Sequence, residues 1–411
     1  MTEWTIVSLL PIEGSAVSTL AVVNAATVFS GDLTTPVLIG ADTVLCADGT
    51  VVAAGPAATL AGGVAEADAV LDAAGGTVAP GLIDSHGHVT FGDWTPRQQT
   101  VGFLESYVHG GVTRMISAGE VHVPGRPRDR EGVKALAVAA RASFDAIRPG
   151  GMRVHAGNVL LEPTLGESDF RHLVECGVWL AKFGFGAYAD PLDAVAQLRV
   201  AKDCGLLVMC HAGGVSAAGS GALGADALLR LDPHVCGHAN GGPTAMPDAD
   251  VDRLIAECSM ALQVVQAGNL RSALRLVRRA TEQGALPRVV VGSDTPSGFG
   301  VMPLAVLKTV VELTCLAPLD PAVAWALATG NVGRVWGLPA GRITPGAAAD
   351  LVVLSAPLGG VAEDAAGAMR NGDVPAITAV VTDGRVRVLT SRNTPAPARR
   401  ATLTPESAGP R

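Results

Sequence analysis

From Pro80 onward the chain follows an alternation that few folds accommodate. Apolar, strand-length runs at 77–83, 113–117, 153–161, 178–185, 206–211, 234–238, 261–265 and 288–292 are separated by helix-length stretches such as 130–146, 191–203, 248–258 and 272–283. Strand–helix–strand units build a parallel sheet with helices outside it, and eight of them close into a TIM-type (β/α)8 barrel, an α/β fold. The alternative is an open doubly wound sheet. No GxGxxG follows an early strand, so a nucleotide-binding version of that sheet has little support.

The flanks read differently. Before residue 80, short β-like runs end at turn residues, and Thr43-Val44-Leu45-Cys46 meets Thr50-Val51-Val52 across Ala47-Asp48-Gly49. An Asp-Gly between apolar runs marks a hairpin. No amphipathic helix of useful length is visible from 18 to 77. The β pattern returns at Asp350-Leu351-Val352-Val353-Leu354 and at 377–382, before Asp383-Gly384. The simplest inference is a small composite β-sandwich domain from both chain ends, residues 1–79 and 341–389. The barrel, residues 80–340, is then inserted between them. Residues 390–411, rich in Pro, Ala, Arg and Ser, read as a surface tail.

Bulk properties narrow the function. With 48% hydrophobic and 17% charged residues, 411 residues can bury a large core. A net charge of -8 repels phosphate backbones, so nucleic acid is not an expected partner. No apolar run reaches the ~18 residues of a membrane span. Seven scattered cysteines without a CxxC, and a start without Lys or Arg, point to the cytoplasm.

The strongest local signal is Gly81-Leu82-Ile83-Asp84-Ser85-His86-Gly87-His88. Residues two apart on a strand share a side, so His86 and His88 aim two imidazoles at one point. Alone, an HxH is also read as two turn histidines. Three more ligand types sit where an apolar run meets a Gly or Pro loop: His211 before Gly213-Gly214, His238 before Asn240-Gly241-Gly242, and Asp294 before Pro296. In a barrel all such ends open on one face, where active sites lie.

Lys182 is one of four lysines against 26 arginines, and it stands inside Val178-Trp179-Leu180-Ala181-Lys182-Phe183. A lysine in an apolar strand is costly unless paired or neutral. Burial lowers its pKa and makes it nucleophilic enough to take up carbon dioxide as a carbamate, an anion able to bridge two cations. The alternative is a lysine snorkelling to the strand end. Cys210, next to His211, points to the other face and is read as packing. His155 faces the site and touches substrate, or is a buried structural histidine. Asn240 and Gly241 lie just beyond His238, well placed for substrate. Arg126, in a Gly-Pro loop, pairs with a substrate carboxylate or is a solvated loop arginine. His109, His122, His172 and His234 carry no functional reading.

These residues, in this order, resemble the amidohydrolase superfamily of metal-dependent hydrolases, and Gly346-Ala347-Ala348-Ala349-Asp350-Leu351-Val352 resembles its closing β-domain signature. The resemblance spans about residues 25 to 395. Segments such as His109-Gly110-Gly111-Val112-Thr113, Pro124-Gly125-Arg126-Pro127 and Ser391-Arg392-Asn393-Thr394-Pro395 are similar to a branch that opens a cyclic enamide and carries iron beside zinc. The resemblance implies two divalent metal ions, zinc at both positions or with iron at one. It implies that His86, His88 and Asp294 hold the first ion, that His211 and His238 hold the second, and that carbamylated Lys182 bridges them. The nucleophile is a metal-bound hydroxide, with Asp294 as base and then acid. The substrate is a small cyclic amide and the protein a homo-oligomer. Two rivals are a single-metal deaminase of an aminated heterocycle, which needs no Lys182, and a relative without catalysis.

Overall fold

Asp48-Gly49 and Asp383-Gly384 each turn a hairpin in which both residues take positive φ, 49° and 75° in the first and 47° and 72° in the second. This geometry matches the right-handed twist of the strands it joins. The computed structural model describes residues 19–119, 123–215, 221–242 and 244–405. The hairpins belong to two five-stranded sheets. One is ordered Thr402–Pro405, Ala69–Asp72, Thr19–Val23, Thr43–Ala47, Thr50–Gly55. The other is ordered Thr27–Val28, Thr77–Pro80, Leu351–Ser355, Ala376–Thr382, Arg385–Leu389. Val22, Val44 and Leu71 of the first share one core with Val78, Val353 and Val381 of the second, so segments from both chain ends form one sandwich.

Two features differ from the sequence reading. Ala57–Ala65 is a helix; none of its residues is buried, so it shows no apolar periodicity to read. Thr402–Pro405, inside the stretch read as a tail, is an edge strand antiparallel to Ala69–Asp72. The open edge of Ala69–Asp72 accepts its ladder bonds, and Ala401 is buried beside it.

Eight parallel barrel strands follow: β1 (Leu82–Gly87), β2 (Val112–Ser117), β3 in two pieces (Arg153–His155 and Asn158–Leu160), β4 (Leu180–Phe183), β5 (Leu207–His211), β6 (Val235–Gly237), β7 (Ala261–Val265) and β8 (Val289–Gly292). The expected run 77–83 divides: its first half joins the sandwich and its second opens the barrel. Gly81 stands at the division, where a Cβ would lie 2.3 Å from the Thr113 side chain. β3 breaks at Gly157, φ 84°, where a Cβ would come within 2.8 Å of the Ala137 carbonyl on helix Arg130–Ala146. The ring closes where β8 meets β1. Asp294 N donates to the His86 carbonyl at 2.9 Å and His88 N to the Thr295 carbonyl at 3.1 Å.

Inside the ring, Ile83, Ile116, Leu180, Met209, Val235, Ala261 and Val290 form one apolar layer. It is a packed plug, as in other closed barrels of this size. Residues two further along β4, β5 and β8 stand above it, toward the C-terminal mouth.

Sandwich and barrel are tied by a buried ion pair. Arg114 Nε of β2 donates to Asp350 Oδ2 at 2.6 Å, and the two side chains are only 6% and 4% exposed. Asp350 Oδ1 also accepts from Asp383 N at 2.9 Å. Removing one member of such a pair strands the other charge in a dry seam. Asp350→Ala is therefore expected to cost roughly 3–5 kcal/mol, read as a lowered urea midpoint for the metal-loaded protein. An unchanged midpoint would show that the seam does not depend on this pair.

Candidate metal centre

Strict alternation from Ile83 would turn His86 away from the barrel interior. A bulge prevents this: Met115 pairs with Asp84 but Ser117 pairs with Gly87, so β1 carries one extra residue here. Ser85 and His86 both face inward as a result. His86 then meets His88 with ring centroids 5.2 Å apart. Asp294 Oδ1 lies 2.9 Å from His88 Nε2 and 3.4 Å from His86 Nε2. Ligand atoms of these three residues all fall within 4.8 Å of one another. His238 joins from β6, its ring centroid 5.5 Å from His86 and 4.4 Å from His211. Lys182 Nζ lies 3.5 Å from His86 Nε2. All six expected ligand side chains thus meet at the C-terminal mouth.

Most of the imidazoles are oriented from behind. His86 Nδ1 donates to Gln263 Oε1 at 2.5 Å and His88 Nδ1 to the Gly119 carbonyl at 3.0 Å, which turns both Nε2 lone pairs inward. His211 Nε2 donates to the Gly214 carbonyl at 2.7 Å, leaving Nδ1 as the free ligand atom. Gln263 is itself held, donating to the Ser85 carbonyl at 2.9 Å and to Ser85 Oγ at 2.8 Å. Asp84 Oδ1 accepts from His86 N and Ser293 N, at 3.0 and 2.8 Å, and so pins the closure between β1 and β8. The sequence reading assigned no role to Gln263 or Asp84. The signal for Gln263 was present, a polar residue inside Ala261-Leu262-Gln263-Val264-Val265.

Space is made by glycine. A Cβ at Gly237 would lie 3.0 Å from Lys182 Nζ, and one at Gly292 would lie 2.8 Å from His86 Cβ. Asp294 and His238 take positive φ, 57° and 37°, which aims them across the mouth. Such backbone costs of order 1–3 kcal/mol and concentrates at functional sites.

The donor set suits divalent cations. His211 Nδ1 and His238 Nδ1 are buried and have no hydrogen-bond partner among the described residues. A cation satisfies both orphans without a proton. Burial holds the His86 and His238 imidazoles well below the ordinary histidine range, and His211 down to about 4, which favours the neutral form that a cation would need. Burial pushes the Asp294 carboxyl up, but His86, His88 and His238 outweigh it and hold it well below the usual carboxylate range. Lys182 is fully buried, with Met209 Sδ at 3.0 Å and no carboxylate within ion-pair distance among the described residues. Burial brings its amine down to about 8.

Other readings sort by position. Cys210 packs outside the ring, against the barrel helices, as expected. Asn240 is fully buried: its amide donates to the Val265 carbonyl and its oxygen accepts from Val265 N, both at 3.0 Å. Its polar atoms hold the β6 loop to β7 and have none left for substrate. Gly241 N donates to the His238 carbonyl at 2.7 Å, and its positive φ of 79° belongs to the same tight loop. Arg126 is on the mouth side, where its guanidinium meets Glu162 Oε1 at 3.0 Å. His155 does not face the centre. It packs edge-on to Trp179 and lines a cleft at the opposite end of the barrel, because Arg153–His155 is the lower piece of the broken β3. His122 and Pro243 lie outside the described residues.

Comparison with known proteins agrees with this geometry. Residues 77–387 match the amidohydrolase family. The chain is 45% identical to the enamidase of Eubacterium barkeri over 379 residues, covering 92% of this chain and 97% of that protein. The crystal structure of enamidase at 1.9 Å superposes with a TM-score of 0.90 at 44% identity, covering 94% of this chain and all of that one. An imidazolonepropionase of Streptomyces griseus matches at 26% identity over 71% of this chain and 80% of its own length.

Gln263→Leu is expected to weaken metal affinity by ~10–100-fold while the fold persists, because His86 loses its acceptor. Competition with a chromophoric chelator measures it. Cys210→Ala, on the outer face, should leave the affinity unchanged; equal affinities in parent and Gln263→Leu would contradict the orienting role.

Proposed function

The chain belongs to the amidohydrolase family, and from that premise we propose that it hydrolyses the C–N bond of a small cyclic amide of the enamide type. The observation that carries this reading is the likeness to enamidase along 92% of the chain, joined to six ligand-type side chains at one barrel mouth.

His86, His88 and Asp294 would hold one divalent cation and His211 and His238 a second, with Lys182, as its carbamate, between them. Imidazole with carboxylate suits zinc, and iron at one position. Such ions lower the pKa of bound water from ~16 toward ~7 and polarise an amide carbonyl. The remaining work falls to the chain. Asp294 is ionised, and its side chain keeps 16% exposure toward the mouth. Its carboxylate accepts the proton of the attacking water. It then delivers that proton to the ring nitrogen as the C–N bond breaks. His86, His88 and His211 are fixed through their outer nitrogens, so the cavity needs little reorganisation as charge develops. Arg126 stands on the same rim and is assigned to an anionic substituent of the substrate, exchanging from Glu162. Asn240 and Gly241 shape the loop beside His238.

Deaminases of the family are more distant: the adenine deaminase of Deinococcus deserti is 27% identical over 324 residues. Seven unpaired cysteines fit a cytoplasmic enzyme. Among the described residues no helix is long and apolar enough to cross a membrane, and the net charge of -8 disfavours nucleic acid. A homo-oligomer completes this reading.

A panel of six-membered lactams, imides and aminated heterocycles, combined with elemental analysis, tests it. Two equivalents of metal and turnover of an enamide lactam are expected. Chelation should abolish turnover, and metal should restore it. Asp294→Asn should lower kcat by ~10²–10⁴-fold. One equivalent of metal, with deaminase activity surviving Lys182→Ala, would replace this reading by the single-metal one.

A further inference from the structure

A cleft of about 670 Å³ opens at the end of the barrel opposite the metal centre, on the seam with the sandwich. Five arginines line it: Arg114 and Arg153 from β2 and β3, Arg148 from the turn before β3, and Arg385 and Arg387 from the sandwich hairpin. The chain as a whole is acidic, so this concentration of guanidinium is local.

Its carboxylates do not balance it. Asp350 is taken up by Arg114. Asp383 pairs closely with Arg148 and reaches Arg153 Nη2 only at 3.9 Å. Asp48 also lines the cleft; with Asp350 behind Arg114, three carboxylates stand against five guanidiniums. Arg385 and Arg387 have no carboxylate within ion-pair distance among the described residues; Arg387 Nε donates instead to Thr382 Oγ1 at 2.8 Å. Deeper in, Arg153 Nε and His155 Nε2 are buried without a hydrogen-bond partner. Burial and the neighbouring arginines hold His155 down to about 3, so it stays neutral and can donate an N–H. Unpaired buried donors are costly unless an acceptor arrives. Guanidinium forks match planar and tetrahedral oxyanions in particular.

We propose that this cleft binds a small dianion, a phosphate or dicarboxylate group, between Arg153 and His155 on the barrel and Arg387 on the sandwich. The bound anion neutralises the excess charge and ties the two domains, so its binding also raises thermal stability.

Calorimetric titration of the full-length, metal-loaded protein with inorganic phosphate and with succinate, at ionic strength held constant by chloride, tests this. Saturable binding of at least one is expected, and the ion preferred tells a phosphate site from a dicarboxylate site. Arg153→Met and Arg387→Met should each weaken it by at least about tenfold. Arg387 is on an exposed hairpin strand, so its variant reports even if Arg153→Met folds poorly. Arg271→Met, on a barrel helix and paired with Asp248, should change nothing. Absence of saturable binding by both anions, or parent-like affinity in both cleft variants, overturns the proposal.

Discussion

A fully buried lysine with no carboxylate within ion-pair distance among the described residues sets the terms for the rest of the barrel. An isolated ammonium in an apolar ring is unstable, and burial already moves Lys182 toward its neutral form. Neutral, it is a base without a proton donor; as a carbamate it becomes an anion that needs cations. His86, His211 and His238, all buried and with burial favouring their neutral form, would be donors for those cations under the proposed function. Asp294 supplies negative charge on the same side. Each of these groups is costly in isolation, and together around metal they would be mutually satisfied.

Holding such a cluster requires the backbone to give way in specific places. The bulge in β1 brings His86 inward, Gly237 and Gly292 clear volume for Lys182 and His86, and positive φ at His238 and Asp294 swings those side chains over the mouth. Beneath lies the apolar layer from seven strands, which keeps water from reaching the cluster from below. Strain at the mouth and close packing under it are complementary: the plug is rigid enough to carry the distortion.

Much of this was legible before any coordinates. Lys182, His211, His238 and Asp294 stand out because polar or charged residues at the ends of apolar runs demand an explanation, and the structure brings them together with His86 and His88. The strands at 261–265 and helix 130–146 follow their sequence periodicity. What escaped was set by long-range contact. Gln263 stands out locally as a polar residue in an apolar run, but its partner His86 lies 177 positions away, and no local pattern names it. An unbroken β3 allows His155 at the mouth, beside its other reading as a buried structural histidine; the break at Gly157 leaves it at the other end. Asn240 sits beside the centre as expected, but its polar atoms are consumed by Val265. Thr402–Pro405 lacks an apolar run and becomes a strand only because an edge is waiting for it.

The two ends of the barrel therefore carry opposite electrostatic problems. One gathers neutral donors and a carboxylate suited to cations, and the other gathers guanidiniums. The central claim concerns the first. Anomalous diffraction from crystals of the metal-loaded protein, recorded above and below the zinc and iron edges, tests it most directly. Two peaks ~3.5–4 Å apart are predicted, the typical spacing of paired catalytic ions. One should lie against His86, His88 and Asp294, the other against His211 and His238, with carboxyl density on Lys182 Nζ between them. A single peak at the first set beside a bare lysine amine, or no peak at all, would contradict the account.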